Sequence, residues 1–258
     1  MFQRRDFPLR EECSMIRVTP FERLGGFKNG WLDARHHFSF SSYYDPERMG
    51  FGPLRVWNDD RIAAGTGFDL HGHRDMEIIT YVRRGAITHT DHLKNVGRTE
   101  AGDIQVMSAG RGIMHAEHNR EREATELFQI WIEPARRGVA PTWAARRFPK
   151  DERSGRLVPL ASGRVSDEGV LPIHQDATLF GASMAAGQGL EFDIEPGRLV
   201  YLVPSAGSIR VNGVAVPERA GVAISDETKL TISAPDAFDL VLADQPGRPK
   251  AGERPWEC

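Results

Sequence analysis

Apolar residues along this chain recur at every second position in short runs, and Gly, Pro and Asp separate the runs. Successive side chains of a strand face opposite ways, so this spacing predicts β-strands rather than amphipathic helices. Leu54 to Trp57, Glu77 to Val82, Asp103 to Met107 and Leu127 to Ile132 are the clearest cases. In the last, Phe128, Ile130 and Ile132 alternate with Leu127, Gln129 and Trp131, so both faces are expected to be covered. Many short strands at turn-rich spacing argue for a sandwich or a closed barrel, because closure removes open sheet edges.

The pattern breaks after Pro134. Residues 135–156, with Pro141, Pro149 and several arginines, read as a connection that crosses the surface. A second β-rich stretch follows, with runs at Arg198 to Val203, Ser208 to Val211 and Lys229 to Ile232. The pair Asn212-Gly213 suits a tight hairpin turn. The expected layout is an all-β chain with one unit over residues 1–134, a linker over 135–156, a second unit over 157–244 and a loose tail over 245–258.

Composition narrows the function classes. The net charge of −3 over 258 residues leaves no global field that would attract nucleic acid. The pairs Arg4-Arg5, Arg136-Arg137 and Arg146-Arg147 read as solvated surface. No run is long and apolar enough to span a membrane, and Met1 to Arg10 does not read as a secretory signal. Two cysteines, Cys13 and Cys258, cannot form a disulfide framework, so a reduced, cytoplasmic protein is expected.

Chemistry concentrates in the histidines. His71 and His73 stand two residues apart, which in a strand puts both rings on one face, roughly 7 Å apart at the backbone. His115 and Glu117 repeat that spacing, and Gly110 and Gly112 before them allow a turn that returns a neighbouring strand. Two such strands would offer three imidazole nitrogens and one carboxylate oxygen, a donor set suited to borderline metals that leaves positions open. Glu77 is a rival ligand of the same parity, but a straight strand places it roughly 13 Å from His73. His89 and His92, after the turn at Gly85, are expected to face solvent, and His118 to point away from His115. His36-His37 and His174 have no partner spacing.

Gly65, His71, His73, Glu77 and Gly85 match the first cupin motif, with one extra residue between Glu77 and Gly85. The run from Gly102 through Gly110 and Gly112 to His115-Ala116-Glu117 closely resembles the second motif of pirins. Gly30-Trp31-Leu32-Asp33, His37-Phe38-Ser39-Phe40, Tyr43-Tyr44-Asp45-Pro46, Met49-Gly50-Phe51 and Asn58-Asp59-Asp60 resemble the bacterial branch of that family. The likeness is strong over about residues 15 to 150 and an outline beyond; Trp143 and Ala145 depart from it.

The resemblance implies a bicupin: two jelly-roll β-barrels, with one divalent metal in the first barrel held by His71, His73, His115 and Glu117. The second half holds a single histidine, His174, which agrees with a second barrel that takes no metal. Fe(II) is the implied ion, although a three-imidazole, one-carboxylate set also admits Mn, Co, Ni, Cu or Zn. Several bacterial members are similar to quercetin 2,3-dioxygenases, which open the central ring of a flavonol with O2 and release carbon monoxide. Animal pirin is instead a nuclear iron protein that acts as a transcriptional cofactor. The expected function is therefore flavonol dioxygenase, with Glu117 as general base and a flavonol-like aromatic substrate. The alternatives are a metal-dependent regulatory module without turnover and a cupin enzyme for another small substrate. No direct nucleic-acid contact is expected, and a monomer is, because each barrel closes its own edges.

Overall fold

The computed structural model describes residues 15–148, 154–164 and 169–247. Of the tail expected over 245–258, the residues beyond 247 lie outside the described residues, as do both cysteines, Arg4-Arg5 and Pro149.

The chain is nearly all β. It opens with β1 (Met15–Thr19), followed by β2 (Gly25–Lys28), β3 (Leu32–His36), β4 (Leu54–Ile62) and β5 (Gly67–His73). Next come β6 (Glu77–Arg84), β7 (Ala86–Asp91), β8 (Val96–Glu100), β9 (Ile104–Ser108), β10 (Ile113–His118), β11 (Thr125–Ile132) and β12 (Thr142–Arg146). The second half holds β13 (Val158–Ser162), β14 (Leu171–Pro172), β15 (Thr178–Met184), β16 (Gly189–Asp193) and β17 (Arg198–Ala206). It ends with β18 (Ile209–Val211), β19 (Val214–Val216), β20 (Gly221–Ser225), β21 (Lys229–Ser233) and β22 (Phe238–Pro246). Among the described residues no helix is long and apolar enough to cross a membrane.

Each half is a barrel built from one seven-stranded and one four-stranded sheet. In the first barrel the orders are β12-β9-β6-β11-β4-β3-β2 and β5-β10-β7-β8. In the second they are β1-β20-β17-β22-β15-β13-β14 and β16-β21-β18-β19. Three elements depart from the expected layout. Gln245 and Pro246, expected in the loose tail, pair with β17 at the end of β22, where Gln245 is fully buried. Strand β1 pairs antiparallel with β20, with Ile16 opposite Ile224 and Val18 opposite Val222, so the start of the described chain belongs to the second barrel. Residues 142–146, expected to lie in a linker, form edge strand β12 against β9, with Trp143 opposite Met107. The prolines on either side had masked a short edge strand, the place in a sheet where proline is tolerated.

Strand β11 shows why both its faces are apolar. Phe128, Ile130 and Ile132 join Trp57, Leu179, Tyr201 and Val241 in one buried cluster shared by both barrels. Leu127 and Trp131, of opposite parity, pack inside the first barrel. The two interiors differ. Leu202, Val222, Ile232 and Leu240 belong to one continuous apolar core in the second. In the first, two small apolar clusters are separate, and buried polar side chains including Thr80, Gln105, His115 and Glu117 occupy the interior. The expected turn at Asn212-Gly213 is present: both residues have positive φ, 46° and 82°, as the tight turn between β18 and β19 requires.

Polar contacts also join the barrels. Asp59 accepts from Arg83 at 2.5 Å and from Arg219 of the second barrel at 2.6 Å. His37 Nδ1 lies 2.9 Å from the Tyr201 hydroxyl. Burial holds the His37 imidazole down at about 3, against the opposing pull of Asp59. An unfolded imidazole takes up its proton near 6.5, so between these values the unfolded chain carries one more proton than the folded one. Stability then rises with pH across that window, by about 1.4 kcal/mol per pH unit for this group. In His37→Gln the dependence of unfolding free energy on pH between 6.5 and 4 should be shallower by that one-proton slope. Denaturant titrations across the window check it, and an unchanged slope would remove His37 as the cause.

Candidate metal centre

Strand β10 lies between β5 and β7, and its inward face carries the chemistry. His115 is opposite His71, and Ile113 is opposite His73. The ladder then shifts so that Glu117 faces Phe68, leaving one extra residue in β5. Such a bulge re-aims side chains. It turns Phe68 toward the same side as His71, with ring centroids 6.4 Å apart, although a spacing of three would place the two on opposite faces.

The donor atoms of His71, His73 and His115 all lie within 4.8 Å of one another. Glu117 is not in this group. Its carboxylate sits beside it in the same cavity, 3% exposed, accepting from Gln105 Nε2 at 2.6 Å and Gln129 Nε2 at 2.7 Å. The Thr80 hydroxyl is 3.2 Å from the oxygen that Gln105 contacts. These side-chain donors hold the carboxylate on the seven-stranded sheet. Burial pushes the Glu117 carboxyl above its ordinary range, partly offset by His89 and by the Gln129 and Thr80 hydrogen bonds.

Hydrogen bonds decide which ring nitrogens are free. His71 Nδ1 donates to the Asp69 carbonyl at 2.7 Å, so Nε2 keeps its lone pair. His89 Nε2 donates to Asp91 Oδ2 at 3.0 Å, which leaves His89 Nδ1 as an acceptor. His115 Nδ1 lies 3.4 Å from that atom and donates to it, so its lone pair is on Nε2. His115 Nε2 is buried and has no partner. Asp91 is itself fixed by the Leu93 and Asn95 amides at 2.9 and 3.0 Å. Burial raises its carboxyl, but hydrogen bonds from His89 and Asn95 outweigh this and hold it below the ordinary value.

Burial and the neighbouring imidazoles lower His73 to about 4 and His115 to about 2. At neutral pH these rings carry no proton that an incoming cation must displace. An orphaned, buried nitrogen among neutral imidazoles fits a transition-metal ion far better than it fits a packed core.

The structure corrects several histidine expectations. His89 is fully buried, not solvent-facing; its ring stacks on Trp143, with centroids 4.8 Å apart and planes 10° apart. Trp143 in turn lies over Gly97, where any Cβ would collide with the indole. His36, which had no partner spacing, is buried, lines the cavity and donates to Asn58 at 2.9 Å. His37 is buried at the barrel junction. His92 is exposed, and His118 lies 3.4 Å from Asp69 outside the cluster. Glu77 is outside the cluster as well, buried and accepting from Ser108 at 2.5 Å. His174 contacts Arg136.

The cavity beside the histidines has a volume of about 200 Å³. Phe40, Phe68, Ile78 and Trp131 supply apolar walls, and Trp131 meets His73 edge-on at 4.8 Å. Asp60 also lines it; one carboxylate oxygen is buried without a partner, and burial, then Asp59 and Glu117, push this carboxyl well above its ordinary value. Sequence reasoning missed Asp60, His89 and Trp143. The polar run Asn58-Asp59-Asp60 does not look like the interior of a strand, and strand periodicity does not signal what packs on what.

The His89 contact carries a prediction. In His89→Phe the His115 Nδ1 proton loses its acceptor, so the ring is no longer held with Nε2 toward its neighbours. Ni(II) affinity should fall about 10–100-fold, the usual cost of losing a ligand's orienting partner. His89→Gln, which keeps an acceptor, should recover part of it. Calorimetric titration checks both.

The chain is similar to known proteins over most of its length. The pirin family model matches residues 18–132, and a model described as a quercetinase C-terminal cupin domain matches residues 160–244. A pirin-like protein of Caulobacter vibrioides is 56% identical over 230 residues, covering 89% of this chain and 99% of its own. A quercetin 2,3-dioxygenase of Escherichia coli is 40% identical over 233 residues, covering 90% of this chain and 99% of its own. The crystal structure of the bacterial pirin YhhW of Escherichia coli in complex with nickel(II) superimposes with a TM-score of 0.85 at 39% identity, covering 90% of this chain and 100% of that one. Likeness along almost the whole length of such relatives, with the histidine-bearing barrel inside the matched region, places this chain in the pirin family.

Proposed function

We propose that the protein is a metal-dependent dioxygenase that opens the central ring of a quercetin-like flavonol with O2. The observation that carries this reading is the convergence of three imidazoles beside an apolar-walled cavity that also holds a buried carboxylate. His71, His73 and His115 would hold the ion, Fe(II) being our first choice. When bound, a divalent cation lowers the pKa of a hydroxyl brought to it.

The residues themselves do the rest. Phe40, Phe68 and Trp131 receive the flat rings and exclude water. Glu117, whose proton affinity burial has raised, accepts the proton of the flavonol 3-hydroxyl, and Gln105 and Gln129 hold its oxygens in place. The electron-rich enolate left on the substrate is the form that reacts with O2. Relatives named as quercetin 2,3-dioxygenases support the assignment.

Isotope labelling tests it. With quercetin and ¹⁸O₂, both labelled atoms should enter the ring-opened product, with carbon monoxide released in equal amount. Label from H₂¹⁸O instead of ¹⁸O₂ would exclude a dioxygenase. Stoichiometric metal binding with no product would move the assignment to a metal-responsive binding module.

A further inference from the structure

A second cavity, of about 220 Å³, opens between the barrels. Arg17 and Arg23 line it from the start of the described chain, His37, Glu47 and Arg48 from the first barrel, and Tyr201 from the second. Arg17 and Arg23 make no ion pair among the described residues, and Arg48 contacts Asp45 at 3.5 Å. Three guanidiniums against the Glu47 and Asp45 carboxylates leave the cleft positive.

The floor is a buried phenol beside a buried imidazole. Burial keeps the Tyr201 phenol protonated well above its ordinary range. Its hydroxyl lies 2.9 Å from His37 Nδ1. His37 is 2% exposed, and its Nε2 has no partner. A buried polar nitrogen without a partner is rare and costly, and this one belongs to a side chain that lines a cation-walled cleft. Guanidinium forks match the paired oxygens of carboxylates and phosphates.

We propose that this cleft binds a small oxyanion, a carboxylate or a phosphate, at a site distinct from the histidine cavity. Both sources present the same oxygen pair, and the two probes below separate them.

Inorganic phosphate and benzoate, each titrated into the full-length nickel-loaded protein at constant ionic strength, should give saturable shifts in the arginine Nε–H resonances. The tighter probe identifies the class. Arg17 and Arg23 are exposed, so Arg17→Gln/Arg23→Gln should fold normally while weakening that probe at least about tenfold. His71→Ala should leave the affinity unchanged. Shifts no larger than those from chloride would overturn the proposal. So would equal affinity in the double variant, and so would loss of binding in His71→Ala, which would place the anion at the metal.

Discussion

His115→Ala should abolish tight binding of one divalent metal per chain and, with it, the gain in thermal stability that the metal confers. His115 completes the cluster, with ring centroids 4.5 Å from His71 and 5.0 Å from His73. Its removal leaves two imidazoles and takes away the ring that His89 contacts. The loss of affinity should exceed the roughly 10–100-fold expected for the His89 substitution, because a donor is lost and not merely its orientation. At a metal concentration about 1,000 times Kd the wild-type protein gains about 4 kcal/mol of stability, and the variant should gain almost none. Thermal unfolding with and without Ni(II) reads this directly. A metal-dependent rise in Tm that survives in His115→Ala would mean that the ion binds elsewhere.

Glu117→Gln should retain the metal and lose turnover by about 10²- to 10⁴-fold, the usual contribution of a positioned base. The substitution keeps the shape but removes the charge and the capacity to take a proton. It also presents an amide to Gln105 and Gln129, which now donate to Glu117, so one neighbour must turn its own amide over. Room exists for that exchange within a network of amides and the Thr80 hydroxyl, and the fold should survive. Metal content and quercetin turnover measured on the same preparation separate the outcomes. Full turnover would remove Glu117 as the base. Loss of metal together with activity would make it a fourth ligand, which its present hydrogen bonds would have to release.

The strands that periodicity picks out are those whose reasons are local. Strands β4, β6, β9 and β11 alternate β-branched and aromatic residues between turn formers, and the structure extends or shifts them by a few residues. Strand β1 is different: Ile16 and Val18 alternate, but their partners on β20 are about two hundred residues away, and nothing local selects them. The same distinction divides the site. His71, His73 and His115 are visible because strand parity of two puts ligands on one face. Phe68 is hidden because a bulge reverses its parity. His89 is hidden because its burial depends on Trp143, on a strand whose flanking prolines and arginines read as a connection.

Oxygen uptake with quercetin tests the central claim most directly, using metal-free protein reconstituted in turn with Fe, Mn, Co, Ni, Cu and Zn. Uptake should require one of these ions and should disappear in His115→Ala. No uptake with any ion, in protein that binds one metal per chain, would contradict the assignment of a flavonol dioxygenase.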